Sequence, residues 1–140
     1  MSAEFFLDTN LFVYSLDPSS PAKARRAGEL IRAAVKTRAG IVSYQVVQEF
    51  FNAALRRFTR PMTSAEAEQY LATVFRPLLA VHSSPALYGE ALRLSGRYGL
   101  AWYDALIVAA ALEGQCKILY SEDFQHGLRI GELRIENPFR

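Results

Sequence analysis

Short apolar runs alternate with longer helix-periodic stretches along the whole chain, and this alternation constrains the fold more than any other feature. Residues 4–7 (EFFL), 40–43 (GIVS), 78–81 (LLAV) and 117–120 (KILY) read as strands, with 133–135 as a possible last one. Between them, residues 10–16, 21–37, 44–58, 64–77, 85–98 and 102–113 read as helices. Thr9 is a candidate N-cap for the first of these, and Ser20-Pro21 and Ser84-Pro85 open two others. Thr63-Ser64-Ala65-Glu66 matches a capping box. Ala39-Gly40, Gly99 and Gly114 act as stops. On the stretch 44–58, Tyr44, Val47, Phe51, Ala54, Leu55 and Phe58 share one face, which should be the buried one. Strands separated by helices predict an α/β fold, a parallel sheet with helices on both faces. Ligands in such folds sit beyond the carboxyl ends of the strands. No repeat, low-complexity tract or linker interrupts residues 1–140, so a single domain is expected.

Composition removes several function classes. The chain is 51% hydrophobic, enough for a full core without covalent staples. Its one cysteine, Cys116, cannot form an internal disulfide and is expected to pack as a small apolar group. One Cys with two histidines, His82 and His126, argues against structural zinc. The opening residues, 1–6, carry an acid and no basic leader region, and the longest apolar run, 105–112, is too short to span a bilayer. A soluble, cytoplasmic protein without a membrane partner is expected.

Net charge is only +2, but the cations are clustered. Lys23, Arg25, Arg26, Arg32, Lys36 and Arg38 lie on one helix with a single acid, Glu29, and Arg56, Arg57 and Arg60 form a second group. Taken alone, such clusters read first as a solvated helix face and second as phosphate-backbone contacts.

Acids stand where a parallel sheet would place a site. Asp8 ends the first strand and Asp123 follows the strand 117–120; either one alone also reads as a helix N-cap. Asp104 lies in the first turn of the helix 102–113, with Ile107, Val108 and Ala111 beneath it. It is either a frayed, exposed acid or a carboxylate that needs a partner, and no Lys or Arg is close in sequence. Glu49 shares its face with Gln45, Asn52 and Arg56, a polar stripe that by itself reads as solvated. Taken together these are hard oxygen donors with no soft ligand nearby, a set suited to Mg2+ or Mn2+.

With these residues in place the chain resembles the PIN-domain family, and within it the VapC-type toxin ribonucleases of toxin–antitoxin pairs. Phe5-Phe6-Leu7-Asp8-Thr9-Asn10 is similar to the family's opening strand and D-T-N/S turn. Gln48-Glu49-Phe50, Tyr103-Asp104-Ala105-Leu106-Ile107 and Leu119-Tyr120-Ser121-Glu122-Asp123-Phe124 resemble its remaining acidic motifs, in the same order along the whole chain. The resemblance implies a flavodoxin-like three-layer sandwich. It implies metal-dependent endoribonuclease activity with Mg2+ or Mn2+, a homodimer, and inhibition by a small antitoxin protein. It assigns Asp8, Glu49, Asp104 and Asp123 as the catalytic, metal-holding quartet. Asp8 and Asp104 would be direct ligands, and Glu49 and Asp123 would complete the shell directly or through water. Thr9, Asn10 and Ser121 would hold the carboxylates by hydrogen bonds. Glu122 is expected to face solvent, and neither His82 nor His126 is placed for catalysis.

Rival readings fare less well. An aspartyl-phosphate phosphatase needs a second acid two residues after the first, where this chain has Asn10. A receiver domain needs a lysine after a late strand and a mid-chain phospho-acceptor, and neither arrangement is present. A dinucleotide-binding fold needs a glycine-rich turn after Leu7, which is absent. The alternative from another class is a PIN fold with little catalysis, acting as an RNA- or protein-binding module. Large apolar groups on the helices, among them Leu11, Phe12, Tyr14, Tyr70, Leu71, Val74 and Phe75, are expected to be core before interface.

Overall fold

The structure, a computed structural model, describes residues 3–140; Met1 and Ser2, part of the stretch used in the leader argument, lie outside the described residues. The elements in chain order are β1 (Phe5–Leu7), α1 (Thr9–Ser15), α2 (Pro21–Thr37), β2 (Gly40–Ser43), α3 (Tyr44–Ala54) and α4 (Ser64–Tyr70). A π-helical segment (Leu71–Phe75) then leads into α5 (Arg76–Leu78), β3 (Leu79–Val81), α6 (Pro85–Tyr98), α7 (Trp102–Glu113), β4 (Ile118–Tyr120), β5 (Arg129–Ile130) and β6 (Leu133–Glu136).

The strands form one sheet in the order β3-β2-β1-β4-β6-β5. Every pairing is parallel except β5 with β6. Parallel strands flanked by helices lose both faces to the core, so they should be apolar throughout. Phe6, Leu7, Val42, Leu119 and Ile135 are accordingly fully buried. The helices pack in two sets, α1 against α2 and α3, and α6 against α7, with α2, α3 and α7 touching the sheet. The expected α/β sandwich with a mostly parallel central sheet is what the chain forms. The chain runs outward from β1 through β2 to β3, then returns to the other side of β1 with β4. The strand order therefore switches between β1 and β4, and the carboxyl ends of those strands frame a crevice.

Several local expectations are corrected. The N-cap of α1 is Asp8, whose side chain accepts from Thr9 N–H, and Thr9 is already helical. The left-handed residue that closes α2 is Arg38 (φ 62°), ahead of the expected Ala39-Gly40 break, while Gly40 opens β2 as expected. On α3 the fully buried stripe is Val46, Phe50 and Ala54, while Tyr44 and Leu55 are exposed and Val47, Phe51 and Phe58 pack at its flank. Large apolar side chains occupy two overlapping stripes of this helix, and only the partner decides which one faces inward. That partner is an aromatic cluster: Phe50 stacks on Tyr70 at 4.8 Å and meets Phe75 edge-on at 5.3 Å, with Phe12 beside both.

The stretch 64–77 is not one α-helix. Pro77 has no N–H for the carbonyl four residues back, and the wider π-helical turn Leu71–Phe75 precedes it. Tyr70 precedes this widened turn and Phe75 ends it, and both reach the cluster. Strand β5 has no counterpart among the expected elements. Its pairing with β6 rests on a tight hairpin at Gly131, whose φ of 61° suits the first central position of a two-residue turn.

Gly40 is required for lack of space rather than for conformation. A Cβ there would lie 2.6 Å from the Phe5 ring and press on the Ala34 Cβ, because α2 turns directly onto β2. Gly40→Ala is therefore expected to cost about 1–3 kcal/mol in urea unfolding. Unchanged stability would mean that Phe5 and Ala34 yield freely.

Candidate functional site

The crevice at the β1/β4 switch is acidic. β1 ends in a buried core, so the next residue, Asp8, leaves the strand only 4% exposed. Its Oδ1 accepts from Thr9 N–H at 2.7 Å, and its Oδ2 accepts from the Ser121 hydroxyl, also at 2.7 Å. Ser121, itself fully buried just past β4, also accepts from Asp123 N–H at 3.1 Å. One hydroxyl thus ties the end of β4 to the end of β1 and orients the backbone that carries Asp123.

Two helices bring the other carboxylates. Glu49 comes from α3, where the Thr9 hydroxyl donates to its Oε1 at 2.7 Å. The Gln45 amide reaches its Oε2 at 3.4 Å and the Tyr103 carbonyl at 3.1 Å. In the sequence Gln45 is only one member of a polar stripe. Its bridging position between α3 and α7 has no sequence signal, since Gln45 and Tyr103 lie far apart along the chain. Asp104 stands in the first turn of α7, below which Ala105 through Ala111 are all buried. Asp8 is buried, Glu49 and Asp104 are half-buried, and Asp123 is exposed at the rim.

Their charges act on one another. Burial pushes the Asp8 carboxyl up to about 7, against the hydrogen bonds from Ser121 and Thr9, and the charges of Asp123 and Glu49 push it further. Burial also raises Asp104, and again Asp123 and Glu49 add to the effect. All four acids therefore share one field. Among the described residues none of the four pairs with Lys or Arg. Nor do any three His, Cys, Asp or Glu side chains among those residues converge tightly enough to enclose an ion as they stand. The amide of Asn10, beside them in the first turn of α1, is buried at both Oδ1 and Nδ2 without a hydrogen-bond partner. Uncompensated carboxylates beside an orphaned amide are the chemistry of a site built for a hard cation.

Glu122 is corrected: it turns from the crevice to an ion pair instead of to open solvent. Lys23 meets its Oε2 at 2.6 Å and the Tyr14 hydroxyl donates to its Oε1 at 2.7 Å, and Lys23 holds the carboxyl below its usual range. This takes Lys23 out of the cation set of α2, as Glu29 at 3.9 Å takes Arg26, and leaves Arg25, Arg32, Lys36 and the C-cap Arg38. His126 accepts from Asn137 N–H at its Nδ1, and His82 packs against Tyr44 with ring centres 4.2 Å apart.

A mostly parallel α/β sandwich with an acidic crevice at its switch point is the arrangement in which α/β proteins place their ligand sites. The family model for the PIN domain matches residues 5–127, and the chain belongs to the PIN-domain family, a family of nucleases. None of the curated proteins matches it. Solved structures do. A toxin–antitoxin complex from Klebsiella pneumoniae is similar at a TM-score of 0.67 and 17% identity, over 96% of this chain and 98% of that one. A sarcin–ricin-loop-cleaving VapC toxin of Mycobacterium tuberculosis is similar at 0.63 and 22%, over 86% and 90%. A VapBC complex of Rickettsia felis bound to promoter DNA is similar at 0.65 and 18%, over 95% and 97%. At these identities the likeness is one of fold.

The raised Asp8 has a thermodynamic consequence. Between about pH 4 and pH 7 the folded protein keeps a proton on Asp8 that the unfolded chain releases, so stability falls as pH rises through that window. The loss should reach about 4 kcal/mol in the metal-free protein. Urea unfolding in EDTA at about pH 5 and about pH 8 measures it, and Asp8→Asn should flatten the dependence. An equally steep Asp8→Asn protein would place the ionisation elsewhere.

Proposed function

We propose that residues 1–140 act as a single PIN domain that hydrolyses RNA phosphodiester bonds with Mg2+ or Mn2+, as the toxin of a toxin–antitoxin pair. The observation that carries this reading is the Asp8 carboxylate at the sheet's switch point. Burial drives it toward neutrality, the charges of Asp123 and Glu49 add to the effect, and no cationic side chain among the described residues pairs with it. Asp8 and Asp104 would hold the ion, with Glu49 and Asp123 completing its shell, and the side chains would have to draw together around it. A bound divalent ion supplies positive charge to the phosphate and a more acidic water.

The chain's own residues do the positioning. Ser121 and the Thr9 N–H fix both oxygens of Asp8, and the Thr9 hydroxyl and Gln45 fix those of Glu49. The Asn10 amide has both polar atoms available to hold a carboxylate or water once the ion is in place. RNA approaches from the exposed Asp123 side, and Arg25, exposed near the start of α2 where that helix meets the carboxyl edge of the sheet, offsets part of the repulsion of an acidic crevice. The structural neighbours that are toxin–antitoxin complexes support an antitoxin partner, and a homodimer and a cytoplasmic site of action accompany that reading. No helix among the described residues is long and apolar enough to cross a membrane.

The test is cleavage of a panel of structured RNAs, with transfer RNAs and ribosomal stem-loops, in Mg2+, Mn2+ or EDTA. Activity should require the metal and vanish in Asp8→Asn and Asp104→Asn. Ser121→Ala removes two supporting hydrogen bonds, to Asp8 and from the Asp123 N–H, but no carboxylate, and should lower activity or metal affinity roughly 10–100-fold. Cleavage indifferent to EDTA sinks the metal mechanism. Neither cleavage nor Mn2+ binding by calorimetry leaves a PIN fold that binds RNA or protein without cutting.

A further inference from the structure

A second concavity adjoins the acidic crevice, and none of the four acids lines it. It is a cavity of about 210 Å3 between the start of α3, the turn after β3 and the start of α7. Its walls are aromatic. Tyr44 lies against His82, and Tyr88 lies 6.0 Å from Trp102. Trp102 is 37% exposed and Tyr103 64% exposed, so these rings are not consumed by the core.

The floor is polar. Ser43 is 3% exposed, and its hydroxyl has no hydrogen-bond partner. It is also the N-cap residue of α3 and makes no side-chain cap bond. The Gln48 side chain and Ser83 add further donors and acceptors, and no carboxylate lines the cavity. Flat aromatic walls over an unsatisfied hydroxyl and an amide suit a planar, uncharged ring with a hydrogen-bonding edge. That is the chemistry of an unpaired nucleobase.

The cavity borders the carboxylate site. Gln45 lines it and also bonds Glu49, while Tyr103 lines it and directly precedes Asp104. A strand whose phosphate lies at the acids would thus bring a flanking base to these rings. We propose that this cavity receives one unstacked base of the RNA substrate beside the scissile phosphate; the proposal rests on the nuclease reading for the identity of the strand. The rings then choose single-stranded or looped RNA over a duplex, because a paired base cannot enter.

Trp102 is the chain's only tryptophan, so its emission reports on the cavity directly. The experiment titrates the 140-residue Asp8→Asn protein in Mg2+ with short single-stranded RNA oligonucleotides of uniform base, and with an abasic ribose-phosphate oligomer of the same length. Base-bearing RNA should quench Trp102 saturably, and the abasic oligomer should not. Tyr44→Ala should weaken binding roughly five- to a hundredfold, the range of losses when a base-stacking aromatic is removed, and Tyr44→Phe should restore it. Tyr44 is exposed, and circular dichroism checks that the fold of each variant is intact.

Equal quenching by the abasic oligomer, or an Ala variant that binds as well as its parent, overturns the proposal. So does Trp102 emission that ignores RNA but follows protein concentration, since a second copy of the chain would then cover the rings. Binding is read without turnover, so the two readings fail separately. Quenching that depends on Tyr44 without any cleavage by the wild-type protein leaves the base site and removes the nuclease.

Discussion

The Asp8 carboxylate is buried at the end of the central strand, and much of the molecule is arranged around keeping it there. It caps α1, it receives the hydroxyl that joins β4 to β1, and it lies within the field of Glu49 and Asp123. A carboxyl pushed up to about 7 is an unfavourable thing to bury, and no side-chain cation among the described residues pairs with it. The core that surrounds it, from Phe6 and Leu7 to Leu119, has to offset that cost. A strained charge maintained by good packing is common where a protein binds something positive or transfers protons.

Rigidity reaches the other acids by different routes. Glu49 rides on α3, which is anchored by Phe50 in the aromatic cluster, so Phe12, Tyr70 and Phe75 indirectly set its position. The π-helical turn before Pro77 belongs to the same device, because it lets both Tyr70 and Phe75 reach Phe50. Asp104 rides on α7, a helix buried on nearly every side, which fixes its base while its carboxyl reaches the crevice. Asp123 has only a short turn and one bond to Ser121, and it is the exposed member.

The local charge balance matters more than the net +2. Lys23 reaches the loop that carries Asp123, yet it is held there by Glu122 and Tyr14 and stacks over the Tyr14 ring at 4.5 Å. Glu122 therefore keeps this lysine from neutralising the crevice. Adjacent acids differ here: Glu122 is satisfied by a lysine, and Asp123 has no such partner among the described residues. Their one-residue separation turns them to different sides of the loop.

The alternation of apolar runs with helical periods determined the α/β class, and the D-T-N, Q-E-F, Y-D-A and S-E-D segments made the acids and the family legible in the chain itself. These are local patterns, carried by residues close in sequence. Tertiary structure decided what depends on distant partners. Phe12, Tyr70 and Phe75 settle which stripe of α3 is buried, since two apolar stripes compete. Lys23, ninety-nine residues away in sequence, settles the partner of Glu122. The Gln45 bridge to Tyr103, the β5 hairpin and the burial of Asp8 itself likewise follow from packing. Sequence periodicity records which surfaces want to leave water; the energy of a buried charge or an ion pair depends on which groups the fold brings within a few ångströms.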